Sequence, residues 1–365
     1  MGRRSLDPEA AAKAVVERLQ KAGHRALFAG GCVRDLLLGR TPNDYDVATS
    51  ATPEQVRRLF HRTLQVGEQF GIVIVLFGGQ QVEVATFRAD GEYVDGRRPQ
   101  EVNYTDDPAV DAQRRDFTVN GLFLDPLRGE VYDYVGGRED LAARRIRAIG
   151  DPAARFEEDK LRILRAPRFA ATLGFDIEAR TASEARRRAP EIEHSGVSPE
   201  RIHVELDKLL RAPGRAHGAR LASELGVLPV VLPEAAAGGD LPLRSLEALP
   251  PDAPLPVAWA ALLAGASPEE ADAALRRLRA SNKQREAVVA LLRSLPAARA
   301  AKELSLAERK RLLRRHGPEL ELLLEAWERG SGKAPEAAAG GALPLRSLEA
   351  LPRDAPLPVA RAALR

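Results

Sequence analysis

Residues 27–39, LFAGGCVRDLLLG, and 43–49, NDYDVAT, decide how this chain is read. The first stretch passes from a short apolar strand through Gly30-Gly31 into a helix. Backbone amides at such a turn can approach a phosphate closely, and the helix offers it a positive N-terminal end. Arg34, one turn into the helix, can fork onto phosphate oxygens. A glycine pair is common at strand–helix turns, so specificity must come from Asp44-Tyr45-Asp46 at the edge of the next strand. Alternate residues of a strand point the same way, so Asp44 and Asp46 can grip one or two Mg2+ ions. Ions held there could activate an attacking hydroxyl and neutralise a leaving pyrophosphate. Taken alone, the triplet reads more readily as turn and cap residues than as ligands.

Working outward, Glu83 lies in VEVATF with Val82 and Val84 on the opposite face of a short β-run. It could join the aspartates as a third ligand or a base, or simply face solvent. Residues 8–22 read as an amphipathic helix capped by Asp7 before Pro8, and TPEQVRRLF as one opened by Thr52 and Pro53. IVIVLF and QVEVATF, separated by GGQ, read as a hairpin, and residues 89–107 are too polar to be core. Beyond Asp151, FEEDKLRILRAPRFAATL, TASEARRRAPEI, SPERIHVELDKLLR and several later segments carry helical periodicity. An α+β fold is therefore expected, a mixed α/β head over residues 1–150 followed by an all-α remainder. The stretch from Pro233 to Leu263 recurs almost verbatim from Pro335 to Arg365, which points to a recent duplication. Trp259 and Leu263 become Arg361 and Arg365, so the second copy is not expected to dock as the first does.

Basic and acidic residues nearly balance, 55 against 52, and the pI near 9.1 permits an RNA partner without demanding one. Only 5% of residues are aromatic, so base stacking on aromatic platforms should not dominate. Arginine outnumbers lysine, but alanine, glycine and proline are abundant too, as GC-rich coding produces. No run approaches the roughly 18 apolar residues of a membrane span, and no apolar segment follows Met1. The lone Cys32 cannot form an internal disulfide and reads as a buried filler in a reducing, cytoplasmic setting.

Taken in order, GGCVRDLLLG with DYD, VEVATFRADGEYVDGRRP, RRDFTVNGLFLDP, FEEDKLRILRAPRFAATLGF and SPERIHVEL form a set. That set resembles the motifs of class II tRNA nucleotidyltransferases, the CCA-adding enzymes, and of bacterial poly(A) polymerases. The resemblance covers roughly residues 22–230. It implies a polymerase-β-type nucleotidyltransferase head over 1–150, a helical neck over 151–215, a body over 216–295 and a tail over 296–365. Asp44 and Asp46 would ligate Mg2+, and Glu83 matches a third acidic position. Gly30 and Gly31 form the nucleotide turn; Gly31, Arg34 and Arg115 would contact the incoming nucleotide, with Asp116 and Asn120 shaping its ribose side. The segment Glu158-Asp159-Lys160-Leu161-Arg162 resembles the family's amino-acid template. On one helix, Asp159 and Arg162 would share a face and present acceptor and donor to a single base edge. Arg165 and Arg168 continue that row toward the triphosphate.

The implied activity is addition of nucleotides from CTP and ATP to the 3′ end of tRNA, gripped by its acceptor and T arms. Residues 88–104 match a flexible loop associated with adenine addition. An A-adding enzyme or a poly(A) polymerase would share the same site, and a non-catalytic RNA-binding helical protein is the remote alternative. Two departures stand out: Pro167 should kink the helix between Arg165 and Arg168, and Gly121 stands where the family often has alanine.

Overall fold

The computed structural model describes residues 5–64, 71–89, 93–94, 98–99, 103–300 and 306–332. The chain divides into two compact units, 1–162 with 175–185, and 163–174 with 186–365. In the first, β1 (Ala26–Ala29), β2 (Val47–Thr49), β3 (Thr63–Leu64), β4 (Ile72–Phe77), β5 (Gln80–Thr86), β6 (Leu122–Asp125) and β7 (Glu130–Asp133) form one sheet. Its order is β7-β6-β1-β2-β5-β4-β3. β2 and β5 run parallel, and the other neighbours are antiparallel.

Local chemistry explains these elements. β1 is four apolar residues, all buried, as a central strand covered on both faces requires. The β4–β5 turn is made by Gly78 and Gly79 at φ +58° and +84°, backbone that glycine adopts without cost. Helix α1 (Pro8–Lys21) opens where Asp7 accepts from the Ala10 amide at 2.8 Å, and it buries Ala11, Ala12, Val15, Val16 and Leu19. Helix α2 (Gly31–Leu37) follows the glycine turn, and α3 (Pro53–Leu59) carries a full capping box between Thr52 and Gln55. α4 (Pro108–Gln113) leads into a short 3-10 turn, Thr118–Asn120, and α5 (Gly137–Ala142) supplies the fully buried Asp140. Asp140 accepts from the Thr118 hydroxyl at 2.7 Å and from Arg147, pinning the RRDFT segment.

α6 (Pro152–Glu158), α7 (Leu161–Leu173) and α8 (Ala179–Arg188) follow. Between α7 and α8 the chain departs from the all-helical expectation: Asp176–Ile177 pairs in parallel with Arg145–Ile146. α7 continues as one helix through Pro167, the position at which a kink is expected.

The described part of the second unit beyond α8 is helical: α9 (Pro199–Arg211), α10 (Arg215–Glu224), α11 (Val227–Val231), α12 (Leu241–Ala248), α13 (Leu255–Leu262), α14 (Pro268–Arg277), α15 (Asn282–Arg299) and α16 (Leu306–Gly330). The expected boundaries at 215/216 and 295/296 fall inside α10 and α15. Trp259 is fully buried; its indole donates to Asp207 at 2.7 Å, Gln284 donates to the same oxygen at 2.9 Å, and His203 stacks on the ring. Leu263 is fully buried as well, so both positions that become arginine in the second copy are core positions in the first. That second copy, 335–365, lies outside the described residues. No helix among the described residues is long and apolar enough to cross a membrane.

Candidate active site

Strand register assembles the carboxylates. β1 and β2 pair Phe28 with Val47, and the Ala29 amide donates to the Asp46 carbonyl at 3.0 Å. β2 and β5 pair Val47 with Val84, so Asp46 and Glu83, one residue upstream on each parallel strand, stand side by side. Tyr45 turns inward: its ring packs on Phe28 at 5.3 Å and its hydroxyl donates to Glu9 at 3.2 Å. Alternation then sets Asp44, which is exposed, and Asp46, which is half-buried, apart from the core. Val82 and Val84 are buried while Glu83 is exposed, as the sequence pattern predicts.

The electrostatics follow from this convergence. Burial first, then the charges of Glu83 and Asp44, push the Asp46 carboxyl up to about 7, with Arg115 pulling the other way. Partial desolvation and the charge of Asp44 also raise Glu83. Among the described residues no three His, Cys, Asp or Glu side chains close into a ready-made metal cage. Instead the carboxylates repel one another at a distance. Mg2+ uses one or two carboxylates and keeps several waters, so this open, all-oxygen donor set fits it.

The turn beside them is specialised at Gly30 rather than Gly31. Gly30 has φ +74°, its amide donates to Leu122 at 2.9 Å, and a Cβ there would lie 2.9 Å from an Arg115 Nη. At Gly31 the nearest atom to such a Cβ is 3.7 Å away, an ordinary contact. Arg34 is 7% exposed and works as a bracket: Nε and Nη2 donate to the Asp35 carboxylate at 2.8 and 3.0 Å, and Nη1 to Asn120 Oδ1 at 2.7 Å. Asn120 in turn donates to Asp116 Oδ1 at 3.0 Å, which also accepts from the Phe117 amide. Arg34, Asp116 and Asn120 thus form one buried network. At Gly121, a Cβ would come within 2.6 Å of a Val135 methyl, so an alanine here would require Val135 to shift.

Arg115 rests on Phe123, 4.9 Å from the ring centre, donates to the Asn120 carbonyl at 3.3 Å, and forks onto Asp111. Asp111 is not among the residues that the motifs single out. It does carry a signal, the D-x-x-R-R spacing that sets an acid in α4 three and four residues before two arginines just past the helix end.

The template segment needs correcting. Glu158 to Arg162 is not one helix: α6 ends at Glu158, Asp159 is extended at φ −150° and ψ 104°, and α7 begins at Leu161. Asp159 and Arg162 therefore do not share a helix face. The cause is Asp159 itself, a residue that competes for backbone donors: Oδ1 accepts from the Leu161 amide and its carbonyl from the Arg162 amide, both at 3.0 Å. The Arg162 guanidinium donates to Glu158 at 2.5 Å, to the Arg155 carbonyl at 3.0 Å and to the Arg114 carbonyl at 3.1 Å. In the second unit, Arg165 and Arg168 both turn to the buried Glu205, at 3.4 and 2.8 Å. Arg168 also stacks on Phe169, 3.4 Å from the ring centre.

Of residues 88–104, Arg88–Ala89 pairs with Asn103–Tyr104 and Tyr93–Val94 with Arg98–Pro99; the rest lies outside the described residues. Cys32 is buried, donates to the Ala29 carbonyl, and has its thiol pushed up to about 12 chiefly by burial. It is filler, as expected, not a nucleophile.

Known proteins share much of this sequence and fold. The family of the poly(A) polymerase head domain matches residues 26–147, and one described as a probable RNA- and SrmB-binding site of polymerase A matches 174–238. The CCA-adding enzyme of Bacillus pumilus is 46% identical over 197 residues, 54% of this chain and 48% of that protein. The chain's matched part thus spans about half the length of the first curated relatives. A longer match, to the CCA-adding enzyme of Geobacillus thermodenitrificans, is 39% identical over 306 residues, 82% of this chain and 74% of that one. The crystal structure of the Bacillus stearothermophilus CCA-adding enzyme in complex with CTP aligns with TM-score 0.77 at 30% identity, covering 94% and 82% of the two chains. The Thermotoga maritima CCA-adding enzyme complexed with tRNA, 20% identical with TM-score 0.67 over 90% and 81% of the chains, shares the fold. On this extent of identity and shape, the chain belongs to the CCA-adding enzyme family.

Proposed function

We propose that this chain adds nucleotides from CTP and ATP to the 3′ end of tRNA, releasing pyrophosphate. The observation that carries this reading is the side-by-side placement of Asp46 and Glu83, next to the Gly30 turn and within electrostatic reach of Asp44 and Arg115. Asp44 and Asp46 hold Mg2+ in this reading, with Glu83 as a third acid near the metal or a base. Mg2+ bound there would favour ionisation of the attacking 3′-hydroxyl and offset charge on the departing pyrophosphate. The chain's own groups do the rest by position and fixed charge. Gly30 and Gly31 let backbone approach the phosphates, and Arg115 supplies a guanidinium beside them. Arg34 acts by bracing Asn120 and Asp116 on the ribose side as well as by its charge.

Asp159 and Arg162 select the base, but from the α6–α7 junction rather than from one helix face. Each is already tied to backbone there, so the acceptor and donor are presented by a fixed corner. The proposal extends to Arg165 and Arg168 as triphosphate contacts. Both face Glu205 in this structure, so nucleotide binding must share or release those pairs. A head, neck, body and tail, a cytoplasmic setting, and helices that hold the acceptor and T arms by phosphate contacts complete the reading.

The test is purified protein with Mg2+, radiolabelled CTP and ATP singly and together, and tRNA ending at the discriminator base. Addition of C, C and A followed by arrest is the expected result. An adenine ladder without arrest overturns it in favour of a poly(A) polymerase.

A further inference from the structure

Asp111, on α4, is 1% exposed, and none of the roles above uses it. Its Oδ2 accepts from Arg115 Nη2 at 2.9 Å and Nε at 3.2 Å. Its Oδ1 accepts from Arg114 Nε at 2.8 Å and from the Arg88 amide at 3.1 Å, and Arg114 Nη2 lies 2.7 Å away. Burial raises the carboxyl, but Arg115 and Arg114 outweigh it and hold it below the usual carboxylate range. Solvent-exposed pairs at this spacing contribute little, whereas a buried, multiply bonded carboxylate fixes the geometry of what it holds.

Each donor leads somewhere. The remaining Nη of Arg115 reaches the Asn120 carbonyl and sits against Gly30, the residue at the nucleotide turn. The carbonyl of Arg114 accepts from Arg162 Nη2, the guanidinium read as choosing the base. Arg88 opens the 88–104 segment. A single carboxylate therefore stands behind the phosphate-side arginine and, through one residue of main chain, the base-side arginine.

We propose that Asp111 is a positioning residue for the nucleotide site, setting Arg115 toward the phosphates and Arg162 toward the base together. This rests on the nucleotidyltransferase reading above. A purely structural ion pair would lower the melting temperature without changing how the folded protein binds or chooses nucleotides. A positioning role also moves nucleotide affinity and base choice.

The experiment first measures CTP binding to the wild-type full chain with Mg2+ by equilibrium titration. Absence of binding overturns the underlying reading, and this proposal with it. Given binding, Asp111→Asn is expected to weaken CTP roughly tenfold or more, a size typical of groups that orient a ligand-binding side chain. It is also expected to raise misincorporation of UTP and GTP. In an Arg115→Ala background, Asp111→Asn should cost CTP affinity little more, because its hold on the phosphates runs through Arg115, while base selectivity should still fall through Arg162. If Asp111→Asn does not fold, Asp111→Glu keeps the charge and shifts the fork by a methylene. It should raise KM for CTP and ATP while circular dichroism and Tm stay near wild type. A folded Asp111 variant with wild-type CTP affinity and base selectivity overturns the proposal, as does full additivity with Arg115→Ala.

Discussion

Asp46 and Asp111 are two carboxylates of the first unit, both drawn out of water and both under the influence of Arg115. Desolvation pushes each toward the neutral form, and the neighbours then decide the sign. Asp46 faces Glu83 and Asp44, and its carboxyl rises to about 7. Asp111 faces Arg114, Arg115 and the Arg88 amide, and it falls below the usual range. One carboxylate has its demand for positive charge met inside the fold. The other carries a demand that the protein leaves unmet, which is what a cation-dependent site needs and a structural ion pair does not. Arg115, whose fork lies on Asp111 and whose charge reaches Asp46, links the two.

The largest effect separates them by chemistry. Asp46→Ala should lower nucleotide incorporation by about a thousandfold or more, the scale of losing a principal electrostatic group in transfer. It should do so in kcat for CTP and ATP alike. Asp111 variants should act mainly through nucleotide affinity and stability. Steady-state kinetics on folded protein checks this. Substantial turnover by Asp46→Ala would break the metal assignment and the contrast with it.

The next effect is stability. Removing the Asp111 carboxylate leaves two arginines facing a buried gap, so Asp111→Ala should cost about 3–5 kcal/mol near neutral pH. Its folded-state pKa lies below its unfolded value, so the stability it supplies is present above an unfolded pKa of about 4 and is lost as pH falls through the folded one. Denaturation midpoints of wild type and variant should therefore converge only in strong acid.

Asp46 has the opposite sign. Its folded pKa is raised to about 7, so the folded state holds a proton that the unfolded state has lost. In the metal-free protein, stability is lost as pH rises from about 4 to about 7. Asp46→Asn should then stabilise the metal-free protein at pH 8 by about 1–3 kcal/mol. That figure is discounted from roughly 1.4 kcal/mol per pH unit because the carboxylate is partly solvated. The gain should vanish near pH 4 and shrink when Mg2+ is added. Thermal melts across pH with and without Mg2+ read both slopes.

The two sites are unequally legible in the sequence. β1, Gly30 and α2 follow from an apolar run meeting glycines, and Glu83 declares itself by standing between valines that the sheet buries. Asp44 and Asp46 gain meaning from alternation, a local property that survives into the fold. Asp111 does not, because an acid ahead of two arginines normally marks a solvated helix face. Only the packing of α4 shows that this face is covered. The α6–α7 corner is hidden for a related reason. Apolar spacing from Phe156 through Leu164 satisfies a helical period whether or not two residues step out of it, and Asp159 takes that step by bonding the Leu161 amide. The pairing of Arg168 with Glu205 joins residues 37 apart, which no local pattern encodes.

Gly30 offers the finest way to sharpen the contrast, because it touches the residue the two carboxylates share. A Cβ at Gly30 would press on Arg115 Nη1 at 2.9 Å, and φ +74° adds backbone strain of its own. Gly30→Ala should therefore cost about 1–2 kcal/mol, a few degrees in Tm. Gly31, where an added methyl would find its nearest neighbour 3.7 Å away, should lose only a few tenths and serves as the control. The displaced guanidinium tip has Asp111 to hold its other nitrogens, so Asp111 should keep its low pKa. Asp46 loses part of the pull of Arg115, which opposes its rise. Carboxyl-detected NMR titration of the metal-free variant should show Asp46 shifted further up while Asp111 stays put. An equal shift at both would mean that Arg115 couples them more rigidly than a fork on one and a field on the other allow.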